Sequence, residues 1–149
     1  MKAISKKIYP KISFQASTGT INSGINSIGI YNNQGITTIN GTAVHNIGDS
    51  GVGIYGTNKF DALTVAYGTG TVNITNTGNI LYNGSAASSG VGIYVDNNNL
   101  LTDATITLNA PSNIDMSSSD TGVGIFTDKA IVNINGGTIN AGSSTGIYA

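Results

Sequence analysis

The sequence predicts an all-β protein, a single-stranded parallel β-helix of about five coils. The phrase Gly-Val-Gly-Ile-aromatic occurs at 51–55, 90–94 and 122–126, and shorter Gly-Ile-Tyr copies lie at 29–31 and 146–148. Each copy follows short segments in which Ile or Val alternates with Asn, Thr or Gly, the pattern of half-buried strands. A small unit repeated along the chain in this way is typical of a solenoid, in which neighbouring units bury a continuous core.

The composition agrees with this prediction. Of the 149 residues only 9% are charged, compared with about 25% in ordinary soluble domains. Arg and Glu are absent, and Asn, Thr, Ser and Gly supply the polar surface, which favours strands and tight turns over helices. The net charge of −1 gives no electrostatic basis for binding nucleic acid or an anionic membrane surface. There is no Cys, so the chain has neither disulfides nor a thiol nucleophile.

The predicted elements form five units, of which the first is the weakest. Residues 1–18 are assigned to an amino-terminal segment, flexible or capping, because four lysines lie among the first eleven residues and no apolar run follows them. Residues 19–149 are assigned to the repeats. The predicted strands are 20–21, residue 25 and 28–31 in the first unit; 37–39, 43–45 and 51–55 in the second; 71–74, 79–81 and 90–94 in the third; 105–108, 113–116 and 122–126 in the fourth; and 131–134, 138–140 and 146–148 in the fifth.

The spacing between units predicts two inserted loops. Ile30 to Ile54 spans 24 residues and Ile125 to Ile147 spans 22, which fits one three-sided coil. The two intervening spacings are 39 and 32 residues, and the excess falls near 56–70 and 95–104. Insertions in a solenoid often form the binding face. We therefore expect contact residues in loops 57–67 and 96–103: Lys59, Asp61 and Tyr67 in the first, and Asp96, Asn98 and Asp103 in the second.

A flat β-sheet or a β-sandwich is the competing fold. The Asn-Gly pairs at 40–41, 83–84 and 135–136 resemble hairpin turns, although the same pairs suit the corners of a β-helix. The in-register repetition of three-strand units favours the β-helix. Because no coil buries its apolar side alone and neither end shows a polar cap, we expect this chain to be a fragment of a longer solenoid, with neighbouring coils at both ends.

The repeated phrase also predicts which side chains stack. We expect six aliphatic side chains to point inward and to form ladders from coil to coil: Val52, Ile54, Val91, Ile93, Val123 and Ile125. We expect the five aromatic residues to form one column along the rod: Tyr31, Tyr55, Tyr94, Phe126 and Tyr148. Two interpretations of this column stay open. It is either a ladder that stabilises the stack, or an exposed stripe that contacts a glycan or a protein.

These repeated phrases, with Thr-Val-Asn-Ile-type and Gly-Asn-Ile-type strands between them, resemble the passenger regions of Gram-negative autotransporters. They are most similar to the large autotransporter adhesins of fusobacteria, over residues 19–149. The resemblance implies a right-handed β-helix displayed at the cell surface, with a role in attachment and virulence. The signal peptide and the carboxy-terminal membrane barrel of that family are not found in this sequence, so we expect the outer-membrane anchor outside this stretch.

The residues offer little for catalysis, and we expect no catalytic residue, cofactor or metal site. His45 is the only histidine; we expect it to point outward and to have a structural role. Asp49 and Asp120 occupy matching positions before Gly-Val-Gly, where we expect turn residues that accept backbone N–H bonds. The oxygen-rich segment 96–99 with Asp103 could supply calcium ligands, but it lacks a known calcium-loop pattern, and a solvated loop is favoured.

Three hypotheses follow from the sequence. The first is a non-enzymatic, secreted or cell-surface adhesin segment that makes many weak contacts with a host-cell or bacterial surface protein or glycan. The second is a phage or surface β-helix that binds, or even cleaves, polysaccharide and carries an acid cluster on one face. The third is a purely structural spacer.

Overall fold

The computed structural model describes residues 13–16, 18–58, 71–97 and 103–149, and these residues form fifteen β-strands and no helix. The bounds are β1 Ser13–Ala16, β2 Thr20–Ser23, β3 Ile28–Asn33, β4 Ile36–Ile39, β5 Val44–Ile47, β6 Val52–Thr57, β7 Asn73–Asn76, β8 Asn79–Tyr82, β9 Val91–Asp96, β10 Ala104–Leu108, β11 Asn113–Asp115, β12 Val123–Asp128, β13 Ala130–Ile134, β14 Thr138–Asn140 and β15 Thr145–Tyr148.

The strands form three five-stranded parallel sheets, and each sheet takes every third strand. Sheet A has the order β1-β4-β7-β10-β13, sheet B has β2-β5-β8-β11-β14, and sheet C has β3-β6-β9-β12-β15. We call each consecutive set of three strands a coil, so that coil 1 is β1–β3 and coil 5 is β13–β15. The all-β prediction is confirmed, and three parallel sheets stacked in register are consistent with a β-solenoid. The sandwich alternative is wrong for the described residues, because all of their strand pairs are parallel.

Identical positions of successive coils stack into ladders, and these ladders make the core. In sheet C, Ile54, Ile93 and Ile125 lie in register and are each 0% exposed. Sheet B contributes Ile80 and Ile114, and sheet A contributes Ile74 and Ile106, which are also fully buried. Each of these isoleucines therefore packs on another isoleucine one coil away, about 4.8 Å along the stack.

The first predicted unit needs correction. Thr20 begins the second strand of coil 1, whereas Ile25, predicted to be in a strand, lies in a turn and is 70% exposed. The first strand of this coil is β1, which the sequence patterns did not reveal; it lies within the segment 1–18 and pairs with β4. Asn26, which follows Ile25, has a positive φ of 53°, a turn conformation that breaks strand alternation.

The predicted inward direction of the valines is also wrong. Val52, Val91 and Val123 are half-buried, whereas the isoleucines two residues later are fully buried as predicted. Strand β6 does not alternate strictly, because Gly53 and Ile54 are both buried. The valine before this buried glycine-isoleucine pair and the aromatic residue after it are therefore both half-buried in each full copy of the phrase.

Candidate functional site

The outer side of sheet C carries two parallel columns of apolar side chains, which we call the sheet C face. The aromatic column contains all five residues that the sequence predicted for it. The aliphatic column beside it starts with the 46%-exposed Ile28 and ends in a threonine. Its members, in register, are Ile28, Val52, Val91, Val123 and Thr145.

A column of glycines between these two columns fixes the geometry of the sheet C face. An ideal Cβ placed on Gly53 would lie 2.5 Å from the carbonyl oxygen of Gly92. A Cβ on Gly92 would lie 2.5 Å from the carbonyl oxygen of Gly124, and one on Gly124 would lie 2.6 Å from that of Gly146. Backbone thus packs on backbone from coil to coil at this position, which leaves no room for a side chain. This close approach is the physical reason for the repeated glycine of the phrase.

The five aromatic rings form a continuous stack. Tyr31 and Tyr55 have ring centroids 5.5 Å apart, and the other three neighbouring pairs are each separated by 5.0 Å. Tyr55 lies nearly parallel to Tyr94 at 20°, and Phe126 to Tyr148 at 8°. Tyr94 meets Phe126 edge to face at 84°. These are the geometries that aromatic pairs prefer.

This stacking decides which part of the rings is open to a partner. Neighbouring rings contact one another along the column, and the three rings of its middle coils, Tyr55, Tyr94 and Phe126, are half-buried. Tyr31 and Tyr148, at the two ends, are the most exposed rings, at 55% and 59%. The column therefore stabilises the stack and, at the same time, forms part of an exposed apolar surface.

The two predicted insertions fall at the same corner of the described strands. One connects β6 to β7 and the other connects β9 to β10, so both run from sheet C to sheet A. Four predicted contact residues, Lys59, Asp61, Tyr67 and Asn98, lie outside the described residues. Asp96 is half-buried at the end of β9, and Asp103 is exposed just before β10.

At this corner the structure brings together two carboxylates that the sequence analysis did not single out as a pair. Asp96 and Asp128 are register partners in β9 and β12. Their matching places, two residues after the aromatic of the repeated phrase, were the signal that could have identified them. The Asp128 carboxylate is 56% exposed and lies 3.9 Å from the Lys129 ammonium.

His45 lies in the core, so the prediction that it points outward is wrong. It is 1% exposed and occupies the isoleucine ladder of sheet B, between Ile21 and Ile80. Its Nε2 atom is 2.9 Å from Ser23 Oγ, which is also buried, and its Nδ1 atom has no hydrogen-bond partner among the described residues. Burial lowers the pKa of His45 to about 4, because desolvation disfavours the imidazolium. His45 is therefore neutral at physiological pH.

Asp49 fills the turn role that was predicted for it. Its carboxylate accepts the backbone N–H of Ser85 at 2.6 Å and the hydroxyl of Tyr82 at 3.1 Å, so it ties coil 2 to coil 3. The Ser85 backbone donor is the main cause of the lowered pKa of Asp49. Asp120, its counterpart in coil 4, is exposed, and its backbone N–H donates to the Ala86 carbonyl at 2.8 Å. Burial is the main cause that raises the pKa of Tyr82.

Within the described ranges, no three His, Cys, Asp or Glu residues come close enough together to hold a metal ion. The same ranges contain no helix long and apolar enough to cross a membrane. Comparisons with protein-family models, with curated proteins and with solved structures found no match for this chain. The function must therefore be argued from the surfaces of the molecule.

Proposed function

We propose that this chain is a non-enzymatic segment of a cell-surface adhesin of the autotransporter passenger type. In this proposal it folds as a right-handed, single-stranded β-helix outside the bacterial cell and is held at the outer membrane by a domain beyond this sequence. The right hand is supported by the strong preference of crossovers between parallel strands of one sheet. The observation that carries the functional proposal is the continuous apolar sheet C face, which runs through all five coils.

The outer sides of the three sheets differ in chemistry. In sheet A, three central coils present Thr38, Thr75 and Thr107 in register, all half-buried. In sheet B, asparagines dominate, and Asn46 donates to Asn22 and accepts from Asn83, each at 2.8 Å. Sheet C presents aliphatic and aromatic side chains instead. A contiguous apolar surface on one side of a molecule is typical of an interaction site.

The form of this surface favours a protein partner over a glycan. Sugars bind aromatic residues most readily through open ring faces, and in the middle of the column the rings are half-buried and contact each other with centroids 5.0 Å apart. The valines beside them extend the apolar strip, which suits the apolar core of a protein interface. Since the unit repeats, each coil adds a similar weak contact, and a longer array would gain avidity from their number.

A cell-binding assay with purified 149-residue chain tests this proposal. The triple variant Val52→Thr, Val91→Thr, Val123→Thr makes the aliphatic column polar while keeping β-branched side chains, which suit strands. We expect it to bind host cells or other bacteria at least about tenfold more weakly, since three apolar contacts are lost. The matched control is Thr75→Val with Thr107→Val on sheet A, which should bind like the parent chain. Circular dichroism spectra should confirm that all variants fold.

The other hypotheses predict different results. If alanine replacement of loops 57–67 and 96–103 abolished binding and the valine variant did not, the contact surface would lie at the sheet C to sheet A corner. Saturable binding to purified polysaccharides alone would favour the polysaccharide-binding alternative. Absence of binding to cells, proteins and glycans would leave the spacer role. The gene on either side provides an independent test, because the adhesin proposal expects a secretion signal upstream and a run of about ten-residue amphipathic strands downstream.

A further inference from the structure

The Asn-Gly pairs of this chain lie at corners of the fold, and two of them belong to coils that have a neighbouring coil on either side. Asn40-Gly41 begins the connection from β4 to β5 in coil 2, and Asn83-Gly84 begins the connection from β8 to β9 in coil 3. Asparagine followed by glycine is prone to spontaneous deamidation, because glycine has no side chain to hinder attack by its own backbone nitrogen. The surroundings of each pair decide whether it reacts in the folded chain.

Deamidation is an intramolecular reaction that consumes only water. The backbone nitrogen of the glycine bonds to the side-chain carbonyl carbon of the asparagine. The Cγ–Nδ2 bond breaks, and the departing amide nitrogen takes up the proton that the glycine nitrogen loses and leaves as ammonia. Water then opens the cyclic imide at either carbonyl, which gives aspartate or isoaspartate. A glycine N–H that is held in a hydrogen bond reacts more slowly, because that bond must break first.

At the corner of coil 2, hydrogen bonds hold the attacking nitrogen in place. Gly41 N–H donates to Thr77 Oγ1 at 3.0 Å, and Thr77 Oγ1 donates in turn to the Ile39 carbonyl at 3.1 Å. The Asn40 carbonyl accepts the backbone N–H of Ala43 at 3.3 Å, which closes a tight turn in which Gly41 has a positive φ of 60°. The nitrogen of Gly41 must therefore lose a hydrogen bond, and this turn must open, before the pair reacts.

The corner of coil 3 leaves the attacking nitrogen free. The Asp49 carboxylate accepts the backbone N–H of Ser85 at 2.6 Å, so it holds the residue after Gly84. The Gly84 N–H itself has no acceptor among the described residues. Asn83 is exposed, so water reaches the amide that leaves and the imide that forms.

The other contacts of this pair hinder the reaction little. Asn83 donates from Nδ2 to Asn46 Oδ1 at 2.8 Å, so this bond involves the nitrogen that leaves and not the carbon that is attacked. The connection 83–90 between β8 and β9 is also twice as long as the connection 40–43 that contains the other pair. Longer connections are generally more mobile, which helps the backbone to reach the bent geometry of the imide.

We propose that Asn83 is a site of spontaneous deamidation in the folded chain, and that the hydrogen bond from Gly41 to Thr77 protects Asn40. Deamidation removes the donor of the Asn83–Asn46 bond and sets a carboxylate against the Asn46 oxygen. An isoaspartate also lengthens the backbone at the corner where Asp49 ties coil 2 to coil 3. The modified chain therefore carries one more negative charge than the parent, whose net charge is −1, and is less stable.

Peptide mass spectrometry of the purified 149-residue chain, incubated at mildly alkaline pH, measures both rates. We expect aspartate and isoaspartate to accumulate at position 83 at least about fivefold faster than at position 40, since one hydrogen bond less opposes the reaction there. In concentrated urea the two rates should become equal, because Asn-Gly-Thr and Asn-Gly-Ser are closely similar sequences. Equal rates in the folded chain, or a difference that persists in urea, would overturn the proposal.

Thr77→Val tests the protection of Asn40 directly. Valine keeps the β-branched shape of threonine but offers no acceptor to the Gly41 N–H. We expect deamidation at Asn40 to become about fivefold faster in this variant, whereas the rate at Asn83 stays as in the parent chain. An unchanged rate at Asn40, or an equal rise at both positions, would show that this hydrogen bond does not protect the site.

Discussion

Replacing Gly92 with alanine tests whether the backbone contact between coils determines the repeated phrase. The added methyl group would lie 2.5 Å from the Gly124 carbonyl oxygen and 2.9 Å from Ile114 Cγ2. The first of these atoms is backbone within a paired strand, so it cannot move away by a side-chain rotation. Relief of the clash requires coils 3 and 4 to separate locally, in a sheet whose side chains pack in register on both sides.

The expected magnitude follows from two opposing terms. Overpacking a tightly packed site costs about 1–3 kcal/mol, and a contact with backbone belongs at the upper end. Alanine gains about 0.4–1 kcal/mol by restricting the unfolded chain. We expect Gly92→Ala to lower the free energy of unfolding by about 2 kcal/mol, which corresponds to a drop of about 4–8 °C in Tm for a chain of this size.

The matched control is Gly146→Ala, at the same repeat position in coil 5. Its Cβ makes only ordinary contacts, the nearest being 3.9 Å from Ile139 Cγ2. In dilute solution this variant should be as stable as the parent or slightly more stable. Thermal and urea unfolding, followed by circular dichroism, measure the stability of both variants. If Gly92→Ala were as stable as Gly146→Ala, the close approach of the coils would not explain the conserved spacing of glycines within this chain.

Three further predictions concern the interior, the corners and the aromatic column. Because burial lowers the pKa of His45 from 6.5 to about 4, the unfolded chain binds the proton first as the pH falls. The free energy of unfolding should therefore drop by up to about 3 kcal/mol between about pH 6.5 and pH 4. Urea unfolding at a series of pH values should show this slope in the parent chain and lose it in His45→Ile; a pH-independent parent would contradict the assignment. Asp49→Ala should lower Tm more than Asp120→Ala does, because Asp49 accepts three hydrogen bonds from coil 3, from the backbone and hydroxyl of Ser85 and the hydroxyl of Tyr82; equal midpoints in thermal scans would show that this link contributes nothing. Tyr94→Ala removes two ring contacts and Tyr148→Ala removes one, at about 0.5–1.5 kcal/mol each, so urea unfolding should find the first about 1 kcal/mol more destabilising; equal losses would argue against the ladder role.

Much of the fold could be predicted because its signals are local. Alternation of Ile with Asn or Thr identified the strands, and the recurring Gly-Ile-aromatic phrase identified the repeat, so that β6, β9 and β12 lie where they were expected. The aromatic column was predictable for the same reason, since one repeat position becomes one column when coils stack in register. The weak first coil was predicted poorly, because β1 has no such phrase near it.

The candidate site was only partly predictable. The sequence identified the five rings and the column that they form, but not the angles at which the rings meet, and it placed the valines of the neighbouring column on the inner side of the sheet. The pairing of Asp96 with Asp128 became visible only when β9 and β12 were placed side by side. Their matching places in the repeat pointed to this pairing, but the contact itself depends on which strands become neighbours, because the two residues lie 32 positions apart in the chain.

The sequence alone determined the secondary structure type, the number of repeats and the residues that recur at one position, because a side-chain period of two and a repeated phrase are properties of the chain itself. Only the tertiary structure decided which side of each strand faces the core. Val52 lies on the half-exposed side because the close approach of Gly53 to the next coil shifts the alternation. His45 is inside because burial of Ile47, two residues later on the same strand, turns that whole side inward. A strand fixes only the alternation of its side chains, whereas packing against neighbouring coils fixes which set is buried.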